Sequence, residues 1–511
     1  MEEYSEEYQN LFNKSRNVSA LSSISQLLDW DQETYMPSDG ANARSEQQKV
    51  IAGVIHRERT SPEFKRALEG LIDIESGTIL VENLSEPQKA ALKMWRRDYI
   101  NEIVLPSEFV EEFAQVTSQA LSVWRKAKKK NAFELFAPFL DKIIQLSQKK
   151  ADFLGYKDHP YDALLDLYEP EMTTKEVEKI FADLEASITT LLKKISAAPQ
   201  IDDSFLFGEY DHKTQLEFSL VLLNAMGFNR SRGRLDISTH PFSSSLHPTD
   251  NRITTRIHPT GVMSNIASVM HEGGHALYEM GFPVEQFGTP LAQAISYGMH
   301  ESQSRWWETR IGKSKPFWQY FLPVLKKYFP EILHTIDLDT FYKAINKVQA
   351  SLIRVEADEV SYPLHIIMRF QMEKDLIGGT LAVRDIPDVW NEKMTKLIGI
   401  TPQNNSEGCL QDIHWSLGSF GYFPSYSLGN IYASHLFTAF EKAQPDWEAQ
   451  LASGDLSFVK SWLNENVHQY GRQYTIPELM QKVTNQPLSA NAYVEYLTSK
   501  FGKIYGLDDN S

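Results

Sequence analysis

Val262-Met-Ser-Asn-Ile-Ala-Ser-Val-Met-His-Glu-Gly-Gly-His275 is a mostly apolar run that closes on two histidines four residues apart. On an α-helix, positions i and i+4 share a face, so both imidazoles can reach one metal ion. Glu272, directly after the first histidine, stands where a metal-bound water would give up a proton. The apolar approach predicts a buried helix over 262–280, where two unligated histidines would be costly. Gly273 and Gly274 inside that helix cost roughly 1 kcal/mol each relative to alanine, which implies close approach by another backbone or by a substrate. The competing reading, in a chain with 14 histidines, is an ordinary hydrogen-bonded pair on a helix face.

A catalytic zinc typically has three protein ligands and one open position. After His275 the chain reads Ala-Leu-Tyr-Glu-Met-Gly, so a closely spaced third histidine is missing. The first candidate is Glu301 on a second helix, in Tyr297-Gly-Met-His-Glu-Ser-Gln-Ser-Arg305, with Glu279 and Glu308 as rivals. All three also fit an ordinary helix surface.

Working outward, most of the 511 residues read as helix. Thr173-Thr-Lys-Glu176 fits a capping box that opens an amphipathic helix. Similar patterns fill 5–30, 85–103, 107–129, 133–154 and 212–226, the last stopped by Gly227, and the tail beyond 430 is helical again. The exception is 234–258. There Leu235-Asp-Ile237 and Arg252–Ile257 are β-prone and flank a turn-rich stretch, Ser243–Asp250, so a small sheet precedes the 262–280 helix. Its edge would let a peptide pair in an extended conformation. With no long linker and no repeat, residues 1–511 read as one mainly α-helical catalytic unit.

Composition excludes several classes. A 42% hydrophobic, 23% charged chain has the make-up of a soluble globular protein. No apolar run approaches a membrane span. The acidic start, Met1-Glu-Glu-Tyr-Ser-Glu-Glu-Tyr8, lacks the blocks of a signal peptide. A single cysteine, Cys409, forbids an internal disulfide, which makes the cytoplasm the default location. Net charge −16 argues against a nucleic-acid partner, and the basic run Arg125–Lys130 reads as an exposed helix face.

Three further segments carry ionisable or mobile chemistry. In Ile353–His365, Arg354 either grips a carboxylate with its bidentate fork or joins Glu356, Asp358 and Glu359 in a structural ion-pair network. Pro363 starts or kinks a helix there. In Gly408-Cys-Leu-Gln-Asp-Ile-His-Trp415, His414 is a candidate donor to an oxyanion. Gly418–Gly429 reads as a glycine-punctuated loop whose Tyr422 and Tyr426 either close over substrate or fill core gaps.

Taken together these segments resemble the Taq-type metallocarboxypeptidases, zinc carboxypeptidases first known from thermophilic bacteria. The resemblance rests on His240-Pro-Phe242, Asp250-Asn-Arg-Ile-Thr254, His271–His275, His300-Glu-Ser-Gln303, Ile353–His365 and Gly408–Trp415, in order. Leu28–Pro37 and His159–Asp166 support it, so it spans essentially the full chain. Departures are small: Asn251 lies at a variable position of its motif, and Ser245 stands where glycine is expected.

The resemblance implies a zincin-like fold related to the oligopeptidases, with two helical lobes around a deep groove and a small sheet beside the metal helix. It implies a homodimer and one zinc per subunit, with cobalt able to substitute. His271, His275 and Glu301 would bind the metal and Glu272 would act as general base. Arg354 would take the peptide's C-terminal carboxylate, while His414, Tyr422 and Tyr426 would contact the transition state. Of the motif residues, His240 and Arg252 are further substrate-binding candidates, with Arg252 or Arg256 as fallback anchors. The expected reaction releases the last residue of peptides with broad specificity. The alternatives are a zinc oligopeptidase cutting internally, or a peptide-binding protein with a vestigial metal site, which an intact Glu272 argues against.

Overall fold

Helix starts follow the local chemistry the sequence advertises. Ser5 accepts the Tyr8 N–H at 3.2 Å and opens the helix Glu6–Thr34. Thr173 and Glu176 satisfy each other's backbone N–H groups at the head of Thr174–Ala197. Asp211 caps His212–Ala225. These side chains take up amide donors that the first helical turn leaves unpaired. The computed structural model describes residues 5–507, so the first four residues of the acidic start lie outside it. Among the described residues no helix is long and apolar enough to cross a membrane.

The fold is mainly helical, with one three-stranded sheet. Strands β1 (Gly233–Ile237), β2 (Ser243–His247) and β3 (Asp250–Thr255) lie in the order β1-β3-β2. β1 runs parallel to β3, with Leu235 opposite Ile253, and β2 runs antiparallel to it. The serine-rich stretch expected as turn is therefore an edge strand. Alternation could not announce it, because only Leu246 of its five residues is buried. The long helix Glu6–Thr34 lies alongside β2, and Ser23 Oγ donates to the Leu246 carbonyl.

Most buried apolar residues fall into two clusters. A large one runs from Ala120 to Tyr505 and contains the motif helix; a smaller one joins Tyr8–Phe12, Phe64–Ile72 and Leu84–Tyr99 with Leu291. Between them opens a groove of about 1240 Å³, above the ~300–1,000 Å³ of a typical small-molecule pocket. One wall is the N-terminal helix from Ser15 to Glu33 with residues around Trp95–Glu102; the other carries β2, the motif helix and Tyr422–Tyr426.

The motif helix spans Val262–Met280, the bounds its apolar run predicts. Asn265 ties it on both sides, accepting from Thr255 of β3 and donating to Ser219 at 2.8 Å each. Its two glycines answer to close packing. A β-carbon at Gly274 would lie 2.6 Å from the Gln303 carbonyl oxygen and 2.8 Å from Ser304 Cα, both backbone atoms of the helix Tyr297–Arg305. At Gly273 it would meet the flexible Met226 Cε at 2.9 Å. Gly274→Ala is therefore expected to destabilise by about 2–4 kcal/mol, overpacking against rigid backbone. Gly273→Ala should cost less, since Met226 can yield. Denaturant midpoints of the two variants check this, and an unshifted Gly274→Ala would refute the backbone contact.

Candidate active site

The motif helix and the Tyr297–Arg305 helix pack with backbones nearly touching, which brings their polar faces together. His271 Nε2 and His275 Nε2 each lie 3.5 Å from Glu301 Oε2. The three donor atoms fall within 4.8 Å of one another. Donors about 2.0–2.1 Å from a tetrahedral zinc lie about 3.4 Å apart, so this spacing suits a shared cation better than direct hydrogen bonds. Two imidazole nitrogens and one carboxylate oxygen are also the donor chemistry zinc accepts. The residues fit the ion.

Glu308 and Glu279 lie against histidine rings on the side away from the point where the three donors converge. Glu308 Oε2 sits 2.9 Å from His271 Nδ1 and accepts from Arg305 at 2.7 Å. It lies on a π-helical turn, Trp306–Ile311, that continues the Glu301 helix. Burial raises the Glu308 carboxyl, but Arg305 and His271 hold it well below the usual carboxylate range. Glu279 is 2.9 Å from His300 Nε2, whose Nδ1 is 2.6 Å from His275 Nδ1. His271 and His275 thus each have a polar partner behind the ring, which fixes ring orientation and the nitrogen a metal would be offered. His300 was visible only as part of a motif; its linking role depends on a fold contact.

Glu272 is buried beside these donors and lines the groove. Burial pushes its carboxyl up to about 7, with Glu301 adding to the shift and His271 opposing it. For His271, burial lowers the imidazole pKa, yet Glu301 and Glu308 carry it up to about 9.

A family model described as carboxypeptidase Taq (M32) metallopeptidase matches residues 10–501. The chain belongs to that family. This metallocarboxypeptidase is 37% identical to thermostable carboxypeptidase 1 of Thermus thermophilus, covering 98% of this chain and 99% of that one. It is 36% identical to carboxypeptidase 1 of Bacillus subtilis, over 97% and 98% of the two chains. Its fold matches the crystal structure of an M32 carboxypeptidase from Deinococcus radiodurans with a TM-score of 0.95 and 35% identity, covering 98% of this chain and all of that one.

In the metallocarboxypeptidase, the remaining sequence candidates separate. Tyr422 and Tyr426 line the groove, but not on a mobile loop: Tyr426 lies in the first turn of the helix Phe423–Ala443, and Tyr422 is its N-cap. Pro424 starts that helix, and Gly429 is packing, since a β-carbon there would strike Glu301 Cγ at 2.7 Å. Tyr422 joins Tyr168 and Tyr297 in an edge-to-face group with ring centres 5.2–5.3 Å apart. Tyr168 and Tyr297 were missed; the signal was Tyr297 four residues before Glu301, on the same helix face.

Arg354 and His414 stand one layer deeper. Arg354 donates to Asp412 at 2.9 Å, and its guanidinium lies 5.0 Å from the Tyr426 ring centre. Arg369, fully buried, donates to the other Asp412 oxygen at 2.7 Å. Although burial opposes it, Arg369 and Arg354 hold the Asp412 carboxyl far below its usual range. The alternative network with Glu356, Asp358 and Glu359 does not form: Asp358 accepts the Val360 and Ser361 N–H groups, and Glu359 pairs with Lys500 at 2.8 Å. His414 Nε2 is 3.2 Å from the Tyr426 hydroxyl.

His240 is exposed before β2, while the groove wall begins at Phe242. Arg252 is held by both oxygens of Asp250 at 3.0 Å and stacks 4.5 Å over Trp30. Asp250 occupies its fork as Asp412 occupies that of Arg354. The fallback Arg256 is exposed just beyond β3.

Three buried histidines weigh against the fold in acid. Burial drives His365, His414 and His468 each down to about 3, with Arg369, Arg354 and Lys460 respectively adding to the shift. Unfolded, each takes a proton near pH 6.5; folded, it refuses one until about pH 3. Their contribution to stability is therefore complete above pH 6.5 and shrinks as pH falls towards 3. The expected loss is on the order of 1–2 kcal/mol per histidine at pH 5. The share of stability these three histidines carry should show as a drop in calorimetric Tm between pH 6.5 and 5; a flat profile over that interval would contradict this.

Proposed function

We propose that this metallocarboxypeptidase uses one zinc ion, with cobalt able to replace it, to release the C-terminal residue of peptides with broad side-chain tolerance. The observation that carries the reading is the convergence of His271, His275 and Glu301 on one point beside the buried Glu272. When bound, the metal supplies Lewis-acid polarisation of the scissile carbonyl and a water acidified towards neutrality. Glu272 takes the proton of the attacking water and returns it to the leaving amine, the work of a base poised near pH 7.

Burial raises the Tyr422 and Tyr426 phenols above their usual range, so they stay protonated and can donate to a developing oxyanion. A well-placed donor of that kind contributes roughly 3–4 kcal/mol. Arg354 is the anchor for the terminal carboxylate, with Asp412 and Arg369 fixing its orientation behind the tyrosine wall. An anchor there sets register, so that only the last bond reaches the chemistry. We further assign a homodimer working in the cytoplasm.

The test is metal analysis together with mass spectrometry of digested model peptides. Stoichiometric zinc, free amino acids from N-blocked peptides and resistance of amidated peptides are expected. Internal fragments would replace this reading with an oligopeptidase.

A further inference from the structure

The metal site draws Glu301 from the α-helix Tyr297–Arg305, nine residues long before it passes into the π-helical turn Trp306–Ile311. Short helices gain little from propensity and owe their position to contacts at their ends and faces. One contact at its start is unusual. Glu169, 1% exposed, turns its carboxylate onto the first turn of this helix. Its Oε1 accepts the Gly298 N–H at 2.5 Å and the Ser425 hydroxyl at 2.6 Å, and its Oε2 accepts the Tyr432 hydroxyl at 3.1 Å. The Ser296 hydroxyl is a further donor. Burial pushes the Glu169 carboxyl up, and what opposes that shift is a set of neutral donors, Ser425, Gly298, Ser296 and Tyr432. A buried carboxyl group is held here by neutral donors and by the N-terminal end of a helix.

The surroundings are cut to admit that carboxylate. A β-carbon at Gly298 would lie 2.8 Å from Glu169 Oε1 and 2.8 Å from Tyr432 Cε2. The adjoining backbone makes a second tie, with the Tyr297 N–H donating to the Tyr168 carbonyl at 3.1 Å. Ser425 and Tyr432 belong to the helix Phe423–Ala443, whose Gly429 presses on the Glu301 side-chain stem. One carboxylate therefore locks two helices at the place where the second touches the metal-ligand side chain.

We propose that Glu169 is a positioning residue for Glu301: it sets the longitudinal register of the Tyr297–Arg305 helix and hence the place of the third donor. The proposal rests on Glu301 being a metal ligand. It gives Glu169 no contact with substrate or metal; the effect passes through Gly298, Ser425 and Tyr432.

The experiment measures zinc dissociation constants of the full-length enzyme by competition with a chromogenic chelator. Glu169→Gln should weaken zinc about tenfold, the low end of what outer-shell partners are worth. Tyr432→Phe, which removes one donor and keeps the shape, should weaken it about threefold. Glu373→Gln is the control, since Glu373 is also buried and accepts from Tyr161, Trp415 and Gly421, away from the Glu301 helix. It should lower Tm yet leave zinc affinity unchanged.

If Glu169→Gln does not fold, Tyr432→Phe alone decides. Zinc affinity within twofold of wild type in the folded variants overturns the proposal, as does an equal loss in Glu373→Gln. Glu301→Gln separates the two layers. If it binds zinc as well as wild type, the ligand reading has failed; if it loses zinc while the Glu169 and Tyr432 variants do not, only the positioning role has.

Discussion

Glu272→Gln is expected to keep zinc in place and to lose nearly all hydrolysis. The three donors that converge are His271, His275 and Glu301, and Glu272 is not among them. Glutamine has the same shape, so the buried site should repack with little disturbance. What disappears is basicity. A positioned general base contributes about 10²–10⁴ in rate, and kcat should fall by that factor with KM little changed. Zinc content by elemental analysis separates this from simple metal loss. A variant that holds stoichiometric zinc and keeps more than a tenth of wild-type kcat would sink the mechanism.

Arg354→Met should erase the preference for free chain ends. Methionine matches much of the arginine stem and keeps contact with Tyr426 and Phe423, while removing the charge and the fork. Truncating one partner of a buried charged pair typically costs 2–5 kcal/mol, so kcat/KM on free C-termini should drop by about 10²–10³. Amidated peptides, which never used the charge, should be hydrolysed as poorly as before. The ratio between the two substrates should therefore collapse. Stability should suffer less, because Asp412 keeps Arg369 at 2.7 Å. An undiminished ratio in a folded variant would move the anchor to another cation.

Much of this arrangement was legible in the residues. The motif helix, its bounds and the reading of Gly273 and Gly274 as marks of close approach all rest on local spacing, and local spacing survives folding. Gly429 reads in sequence as loop punctuation, whereas in the fold Pro424 opens a helix and Gly429 packs against Glu301. A glycine among turn-like residues carries two signals, flexibility and smallness, and only the facing backbone tells which one operates. Strand β2 escaped because an edge strand of serines shows no alternation. Asp412 as the partner of Arg354 was illegible for a different reason: the residues are 58 apart in sequence. Likewise, nothing local says that Ser15–Glu33 would wall a groove built around residue 271.

That wall has a consequence for how such an enzyme diversifies. The residues that would confine a long peptide come largely from the first hundred positions, packed around their own apolar cluster. Those that would cut the bond come from 262–426, packed around another. Reach along a peptide and competence at chemistry would thus lie on separate stretches of one gene. An exchange of the first hundred residues between relatives would then alter the former, provided the ties of Ser23 to Leu246, Arg97 to Asp166 and Asp98 to Arg472 are kept.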